Sequence, residues 1–473
     1  MKTIDQVYIN GAFKKPHGQE RFELISPATG RLRGYVLLGD EVDAREAIAA
    51  AKAAFPSFSQ TTSAERATYL SRISEALAVR KEDLILAMLE EYGASRAFVE
   101  AAVQMAINNP LEMRTVLNSY QFVRKINQSH VAMEPVGVVG LITPWNSNAG
   151  FITSKFSTAL AAGCTAVIKP SEMSATQTQI VIEAIHSAGL PPGVFNVVNG
   201  RGDIVGAEIT RNRDIAKISF TGSTAVGKTI ARDAAATLKR VTLELGGKSP
   251  NLLLDDADLT TAIPQAVGVA FMNNGQACIA ATRLLVPRSR LDEVKRLLRE
   301  AVAQVKVGDP SKDAKVTVGP LVNEKQFERV QSYIRKGIEE GAELLTGGLG
   351  RPEGLEGGYY TRPTVFVNVT NNMTIAREEI FGPVLSVLTY EDVDHAVEIA
   401  NDTDYGLQSY ITTRVPEKAQ AIARRLQTGR VLINSPSNDA QVPFGGFKQS
   451  GIGREFGVFG LESYLEPKSI LGQ

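Results

Sequence analysis

Val136-Gly137-Val138-Val139-Gly140-Leu141-Ile142, running into Thr143-Pro144-Trp145-Asn146, is the stretch on which the fold turns. A short apolar run bounded by Pro135 and Pro144 reads as a strand buried on both faces, the kind a parallel sheet requires. Working outward, residues 156–162 read as a helix and Ala166-Val167-Ile168 as a strand ending at Lys169-Pro170. Residues 176–188 read as a helix and 194–198 as the next strand. Strands at 215–220, 241–245 and 251–254 continue the series. Upstream, 43–55 is Ala-rich with helical spacing, and 63–92 carries Leu70, Ile73, Leu77, Leu84 and Leu89 at the spacing of two amphipathic helices. Short strands alternating with longer helices imply an α/β chain with a mostly parallel sheet and right-handed crossovers. After Leu259 the pattern restarts: helix 262–273, strand 282–286, helix 292–305, and later helix 419–426 and strand 431–433. The Gly-rich segment 347–358 reads as a surface loop.

A chain of 473 residues exceeds what one hydrophobic core normally serves, so two or three domains are expected. Lys plus Arg and Asp plus Glu balance at 51 each, which argues against nucleic acid or an anionic membrane recognised by bulk charge. No apolar stretch reads as a membrane span, and the segment from Met1 to Val7 lacks the apolar core of a signal peptide. A cytoplasmic protein is expected. The two cysteines build no disulfide framework, and His17, His130, His186 and His395 never fall in a metal-ligand spacing. No metal is expected.

The two cysteines differ in setting. Cys164 lies at the approach to a strand and reads as a small core residue. Cys278 closes Asn274-Gly275-Gln276-Ala277-Cys278, where small and amide residues leave room for a ligand beside a thiol.

Gly222-Ser223-Thr224-Ala225-Val226-Gly227-Lys228-Thr229 satisfies the phosphate-loop pattern after an expected strand and before an expected helix. Leu252-Leu253-Leu254-Asp255-Asp256 resembles the apolar strand and acid that would hold Mg²⁺, so an NTPase is the rival reading. A loop opening a helix binds any phosphate, a dinucleotide pyrophosphate included. A plain strand-to-helix turn with Lys228 in solvent is the ordinary alternative. A second glycine cluster, Gly200-Arg201-Gly202-Asp203-Ile204-Val205-Gly206, misses GxGxxG by one residue.

Several segments then occur in one order. They are Pro144-Trp145-Asn146, Lys169-Pro170-Ser171-Glu172, Ser219-Phe220-Thr221-Gly222-Ser223, Leu243-Glu244-Leu245-Gly246-Gly247-Lys248 and Gly275-Gln276-Ala277-Cys278. Glu378-Glu379-Ile380-Phe381-Gly382-Pro383, Pro443-Phe444-Gly445-Gly446 and Ser450-Gly451-Ile452-Gly453-Arg454-Glu455 complete the series. Over nearly its whole length the chain resembles the NAD(P)-dependent aldehyde dehydrogenase superfamily, in which the glycine turn lies beside the cofactor pyrophosphate.

The resemblance implies oxidation of an aldehyde to a carboxylate with NAD, through a thiohemiacetal and a thioester on Cys278. It implies that the amide of Asn146 donates to the oxyanion, a contact worth about 2.7–4 kcal/mol. Alone, Asn146 would read as an Asx turn. It places Glu244 as general base for the hydrolytic water, with Lys155 supporting it. Lys169 and Glu172 match positions holding the adenine ribose, and a carboxylate there repels a 2′-phosphate. Glu172 by itself would equally serve a helix dipole. Trp145, Gly202, Gly206, Gly222 and Ser223 are expected on the cofactor, as are Glu379 and Phe381 at its nicotinamide end.

Departures from the commonest family pattern concern the substrate. Ser147 and Asn148 stand where many members carry an aromatic and a proline, and Phe151 and Ser154 follow one helical turn on. With Phe444 and the polar loop 435–441, Ser147, Phe151 and Ser154 are the expected substrate contacts and suggest a polar, roomy channel. The expected architecture is aldehyde-dehydrogenase-like. A Rossmann-like cofactor domain spans 1–116 and 136–249, an α/β catalytic domain 250–430, and a small β oligomerisation arm 117–135 with 455–473. A return segment at the substrate tunnel, 431–454, joins them. The segment 119–133, with Tyr120, Phe122, Val123 and Ile126, reads as a strand pair needing a partner, so a homodimer or homotetramer is expected. Two further readings remain beside the NTPase: a CoA-acylating dehydrogenase, which Glu244 opposes, and a non-catalytic scaffold, which intact Cys278, Asn146 and Glu244 oppose.

Overall fold

A computed structural model describes residues 2–435 and 439–472. Its larger sheet has eight strands. Five of them pair in parallel, in the spatial order Arg240–Glu244, Lys217–Thr221, Val138–Ile142, Thr165–Lys169 and Phe195–Val197. Antiparallel strands flank them: Gly451–Ile452 beside Arg240–Glu244, and Val7–Ile9 beside Phe195–Val197, with Ala12–Lys14 outside it. The Val138–Ile142 strand is buried throughout, as its composition requires. It is also where the winding reverses, since later strands add first on one side and then on the other. In open parallel sheets the crevice beyond the carboxyl ends of strands at such a reversal is where ligands bind. Here those ends are Thr143-Pro144-Trp145-Asn146 and Gly222-Ser223.

A second sheet of seven strands centres on Pro250–Leu253, with Arg283–Pro287 and Gln408–Thr412 parallel to it on either side. Val384–Tyr390 and Arg430–Ile433 extend it in parallel. The α/β expectation is met in both halves. The phosphate-loop reading is undone by the topology. The Gly222 turn ends a strand of the first sheet, whereas Asp255 follows a strand of the second and is paired with Lys418 at 2.7 Å. Lys228 is exposed and donates to Gln449 at 2.8 Å. Gly227 has a packing purpose, because a Cβ there would stand 2.5 Å from Leu245 Cδ2.

Most expected elements are present, and three differences bear on the site. The helix expected at 156–162 begins earlier, as Asn148–Ala162, so the Trp145-Asn146 turn runs directly into it. The helix expected at 262–273 stops at Ala270, because Asn273 and Asn274 take left-handed backbone with φ of 51° and 60°. The long helix Arg96–Ser119 was not anticipated; it continues through Pro110 and packs on Asn148–Ala162, where Asn109 Nδ2 donates to Gly150 O at 3.0 Å. The strand pair expected at 119–133 is Val123–Ile126 with Ser129–Pro135, and Leu465–Ile470 joins it as a third antiparallel strand. No helix among the described residues is long and apolar enough to cross a membrane.

Arg283 ties the second sheet to the segment that follows Glu244. Fully buried, it donates to the carbonyls of Lys248 at 3.0 Å, Ile399 at 3.0 Å and Ala400 at 2.9 Å. Arg283→Met removes these bonds and strands three carbonyls, so a loss of about 3 kcal/mol or more is expected. A lowered urea midpoint at unchanged slope measures it, and a parent-like midpoint refutes it.

Candidate active site

The nucleophile candidate sits on a turn that backbone geometry and side-chain amides hold together. Asn273, Asn274 and Gly275 all have positive φ, a conformation costly for the two asparagines. Asn274 Nδ2 donates to Gly93 O at 3.1 Å and Pro320 O at 2.9 Å, while its Oδ1 accepts from Gly319 N at 2.7 Å. Gln276 Oε1 accepts from Val322 N at 3.0 Å. The Gln276 carbonyl accepts from Asn273 Nδ2 at 3.0 Å and from Asn146 Nδ2 at 2.9 Å. Asn146 is thereby brought from the reversal point of the first sheet to within two residues of Cys278. An amide nitrogen carries two hydrogens, so Asn146 keeps a second donor.

Gly247 packs against the Cys278 backbone so closely that a Cβ would lie 2.3 Å from Cys278 O. Cys278 is partly exposed, and Cys164 is fully buried with its thiol against Tyr464 O at 3.6 Å. Burial of the Cys278 sulfur, then the carboxylates of Glu379 and Glu244, push this thiol up to about 12. The backbone N–H groups of Cys278 and Ile279 oppose that shift.

Glu244 ends its strand with the side chain buried, and neither carboxylate oxygen has a hydrogen-bond partner among the described residues. Burial, then the neighbouring Glu455, hold it well above the ordinary carboxylate range, against Lys155 and Arg454. Gly445 crowds it, since a Cβ there would stand 2.7 Å from Glu244 Oε1. Lys155, on the Asn148–Ala162 helix, is buried, donates to Ser219 Oγ at 2.9 Å and forms an ion pair with Glu455.

The expected cofactor residues fall into two groups. Lys169 and Glu172 form an ion pair at 3.0 Å beyond the Thr165–Lys169 strand. Near them, Gly202–Gly206 forms one wide helical turn, and Gly206 comes close to the Lys169 side chain. Ser223 caps the helix Thr224–Ala235, whose first turn follows Gly222. In the second group, Trp145 meets Phe381 edge-to-face at 5.8 Å, and Phe381 has a left-handed φ of 61°. Glu379 Oε1 accepts from Gly247 N at 2.9 Å. These groups suit a dinucleotide: a carboxylate with its lysine for ribose hydroxyls, a capped helix start for a pyrophosphate, and an aromatic corner for a flat ring.

Of the expected substrate residues, Ser147 has a φ of 81°, and its buried hydroxyl has no partner among the described residues. Phe151 and Ser154 are half-buried on the same helix. Phe444 packs on Phe456 at 5.8 Å, with the Arg430 guanidinium 5.4 Å over its ring. Within the loop 435–441, residues 436–438 lie outside the described residues. Sequence reasoning quoted Glu455 and Ser219 inside motifs without giving either a role. It passed over Asn274 as a structural clamp and did not single out Lys217, which is buried and brought down to about 7 by that burial.

The two wound sheets hold the amide-held turn of Cys278 between them, beside groups that suit a dinucleotide. The chain belongs to the aldehyde dehydrogenase family, whose profile matches residues 13–470. It is 46% identical to aldehyde dehydrogenase C of Pseudomonas syringae, solved with NAD+ and octanal, at a TM-score of 0.97 over 98% of this chain and 96% of that one. It is 41% identical to a Mycobacterium tuberculosis aldehyde dehydrogenase solved with NAD+, at a TM-score of 0.96 over 100% and 99%. A 3-succinoylsemialdehyde-pyridine dehydrogenase of a Pseudomonas species is 43% identical over 100% of this chain and 99% of its own length. The expectation of an NAD-dependent aldehyde dehydrogenase is met.

The raised Cys278 thiol has a measurable consequence. Without cofactor the thiolate fraction grows with pH and does not level off below about 12. Iodoacetamide alkylation of Cys278, followed by mass spectrometry, is expected to rise about tenfold per pH unit through the mildly alkaline range. A plateau near about 8.5, the value of a free thiol, contradicts it.

Proposed function

We propose that the residues gathered here oxidise the aldehyde as follows, with the isolated carboxylate of Glu244 facing the Cys278 turn as the observation that carries the reading. Bound NAD+ supplies the hydride acceptor and a positive charge near the thiol. Cys278 passes its proton to solvent water and its sulfur adds to the aldehyde carbon. The carbonyl oxygen becomes an oxyanion, received by the spare N–H of Asn146 and the backbone N–H of Cys278. After hydride loss the acyl group is a thioester on Cys278. Glu244 takes a proton from water as the hydroxide adds to the acyl carbon. The C–S bond then breaks, releasing the carboxylic acid and returning the electron pair to sulfur. Lys155 holds Glu455 beside Glu244.

The Glu172–Lys169 pair supports recognition of an unphosphorylated ribose. Trp145 and Phe381, with Glu379 on the Gly247 N–H, support the nicotinamide end, and Gly202, Gly206, Gly222 and Ser223 the pyrophosphate. Ser147, Phe151, Ser154 and Phe444 supply the substrate contacts. The orphan Ser147 hydroxyl favours an aldehyde with a polar group near its reactive carbon. The expected division into cofactor, catalytic and arm segments is supported by the separate eight-, seven- and three-stranded sheets. The open edge at Val123–Ile126, with Val123 and Ile126 exposed, supports a homodimer or homotetramer. Two free cysteines suit the reducing cytoplasm.

Glu244→Gln separates the two halves of the reaction. An NADH burst approaching one per site, followed by turnover slowed about 10²–10⁴-fold, is the expected trace. Acylated Cys278 accumulates and is visible by mass spectrometry, while Cys278→Ala gives no burst at all. Parent-like turnover in Glu244→Gln removes Glu244 from the mechanism.

Cofactor choice tests Glu172. The parent is expected to show a higher kcat/KM with NAD than with NADP, and Glu172→Gln to narrow the gap by lifting repulsion of the 2′-phosphate. A parent that prefers NADP overturns this assignment.

A further inference from the structure

Beneath Glu244 the buried face of the larger sheet carries a line of polar side chains that the reaction just described leaves unused. Lys217 and Ser219 lie two residues apart on one strand, and Thr242 and Glu244 two apart on its neighbour. Ser219 pairs with Thr242 in register, and Thr221 with Glu244. Side chains two apart on a strand share a face, so the four project together. Ser219 Oγ accepts from Lys155 Nζ at 2.9 Å and donates to Glu455 Oε1 at 3.1 Å. The Tyr464 ring lies 4.7 Å from Lys217 Nζ. Lys217 Nζ donates in turn to Thr242 Oγ1 at 2.6 Å. Lys155, Lys217, Ser219, Thr242 and Tyr464 are each no more than 3% exposed. Burying ammonium and hydroxyl groups at the centre of a sheet is costly. An apolar strand face would serve folding better.

We propose that Ser219, Tyr464 and Lys217 are positioning residues for water activation, holding the Lys155–Glu455 pair in place under Glu244 and setting the charge around it from the side remote from the substrate. The proposal rests on the reading of Glu244 as the base. Ser219 suits the task because a hydroxyl can accept from Lys155 and donate to Glu455 at once, which alanine cannot do. Tyr464 offers the face of its ring to Lys217.

Lys217 supplies an adjustable charge. Burial lowers it to about 7, with Lys155 and Arg240 acting in the same direction and Glu455 and Cys164 opposing them. Glu244 in turn faces Glu455, Lys155, Arg454 and Cys278. A protonated Lys217 places its charge near Glu455. Its removal therefore alters the charge that Glu244 meets through Glu455 and displaces the rising limb of the hydrolytic rate.

The test is stopped-flow measurement of acylation and of thioester hydrolysis against pH, in the full chain with NAD+ and an aldehyde. Ser219→Ala removes one oxygen, and Lys217→Met removes the charge at similar length. Expected are a parent-like burst and KM for NAD+. Hydrolysis is expected to slow about tenfold in Ser219→Ala, the effect of losing one hydrogen bond to a charged group. Lys217→Met displaces the rising limb, and Ser219→Thr, which keeps the hydroxyl, recovers the rate. Parent-like hydrolysis with an unchanged pH profile in Ser219→Ala and Lys217→Met overturns the proposal. So does a loss that falls equally on burst, KM and hydrolysis, which would mark general damage. Should Lys217→Met fail to fold, Ser219→Ala decides by the same criteria. Stalled hydrolysis in Glu244→Gln alongside parent-like hydrolysis in these variants sinks this proposal alone, whereas normal hydrolysis in Glu244→Gln sinks the reading beneath it.

Discussion

Asn274 holds the reactive turn to the rest of the molecule. Its side chain bonds the end of the Lys81–Tyr92 helix through Gly93 and the connection at Gly319 and Pro320, spending both ends of one amide on three backbone groups. A left-handed asparagine pair followed by a left-handed glycine is not a conformation the chain adopts unaided. The amide bonds offset that strain. With the turn fixed, Gly247 can approach the Cys278 carbonyl and Asn146 can reach Gln276 from the other sheet. The geometry around the sulfur is therefore set by backbone contacts, which tolerate little displacement.

Around this turn the ionisable groups are held away from their ordinary charge states, in a consistent direction. Burial raises the thiol of Cys278 and the carboxyls of Glu244 and Glu379, and it lowers the amines of Lys217 and Lys248 to about 7. Each shift reduces the charge the interior must carry. The site is poised near neutrality, and the arrival of the cationic nicotinamide ring is the natural event to draw anionic forms out of it. Burial acts in the same way elsewhere in the chain, on Glu91 and Cys164 for example; around Cys278 it acts on a thiol and two carboxyls that also influence it by charge.

How much of this could be read in the chain follows from what each residue depends on. The buried run at 136–142 and its strand-helix neighbours were legible, because apolar periodicity is local. Cys278, Glu244 and Asn146 were legible through motifs whose order resembled a family. The Arg96–Ser119 helix was not, since Asn108-Asn109-Pro110 carries a helix breaker and only packing on the Asn148–Ala162 helix outweighs it. The small sheet of Lys2–Ile4, Arg21–Ile25 and Leu32–Leu37 also went unread, its strands being short and mixed in polarity. Lys217 and Lys248 look like surface lysines in sequence. Only the three-dimensional packing shows them enclosed. The Lys155–Glu455 pair joins residues 300 positions apart, a separation no local pattern reports.

The pairing of Gly451–Ile452 with the Glu244 strand also has a consequence for how the enzyme comes into being. Gly445, Ser450 and Glu455 all close around Glu244 or its strand, and Leu465–Ile470 joins the sheet that starts near residue 123. Chains emerge from the ribosome amino end first, and early segments fold before later ones arrive. The sheet bearing Glu244 thus waits with one edge unfinished until residues 445–455 have left the exit tunnel. A nascent chain has Cys278 and most of the parallel sheet well before the segment that closes around Glu244 arrives.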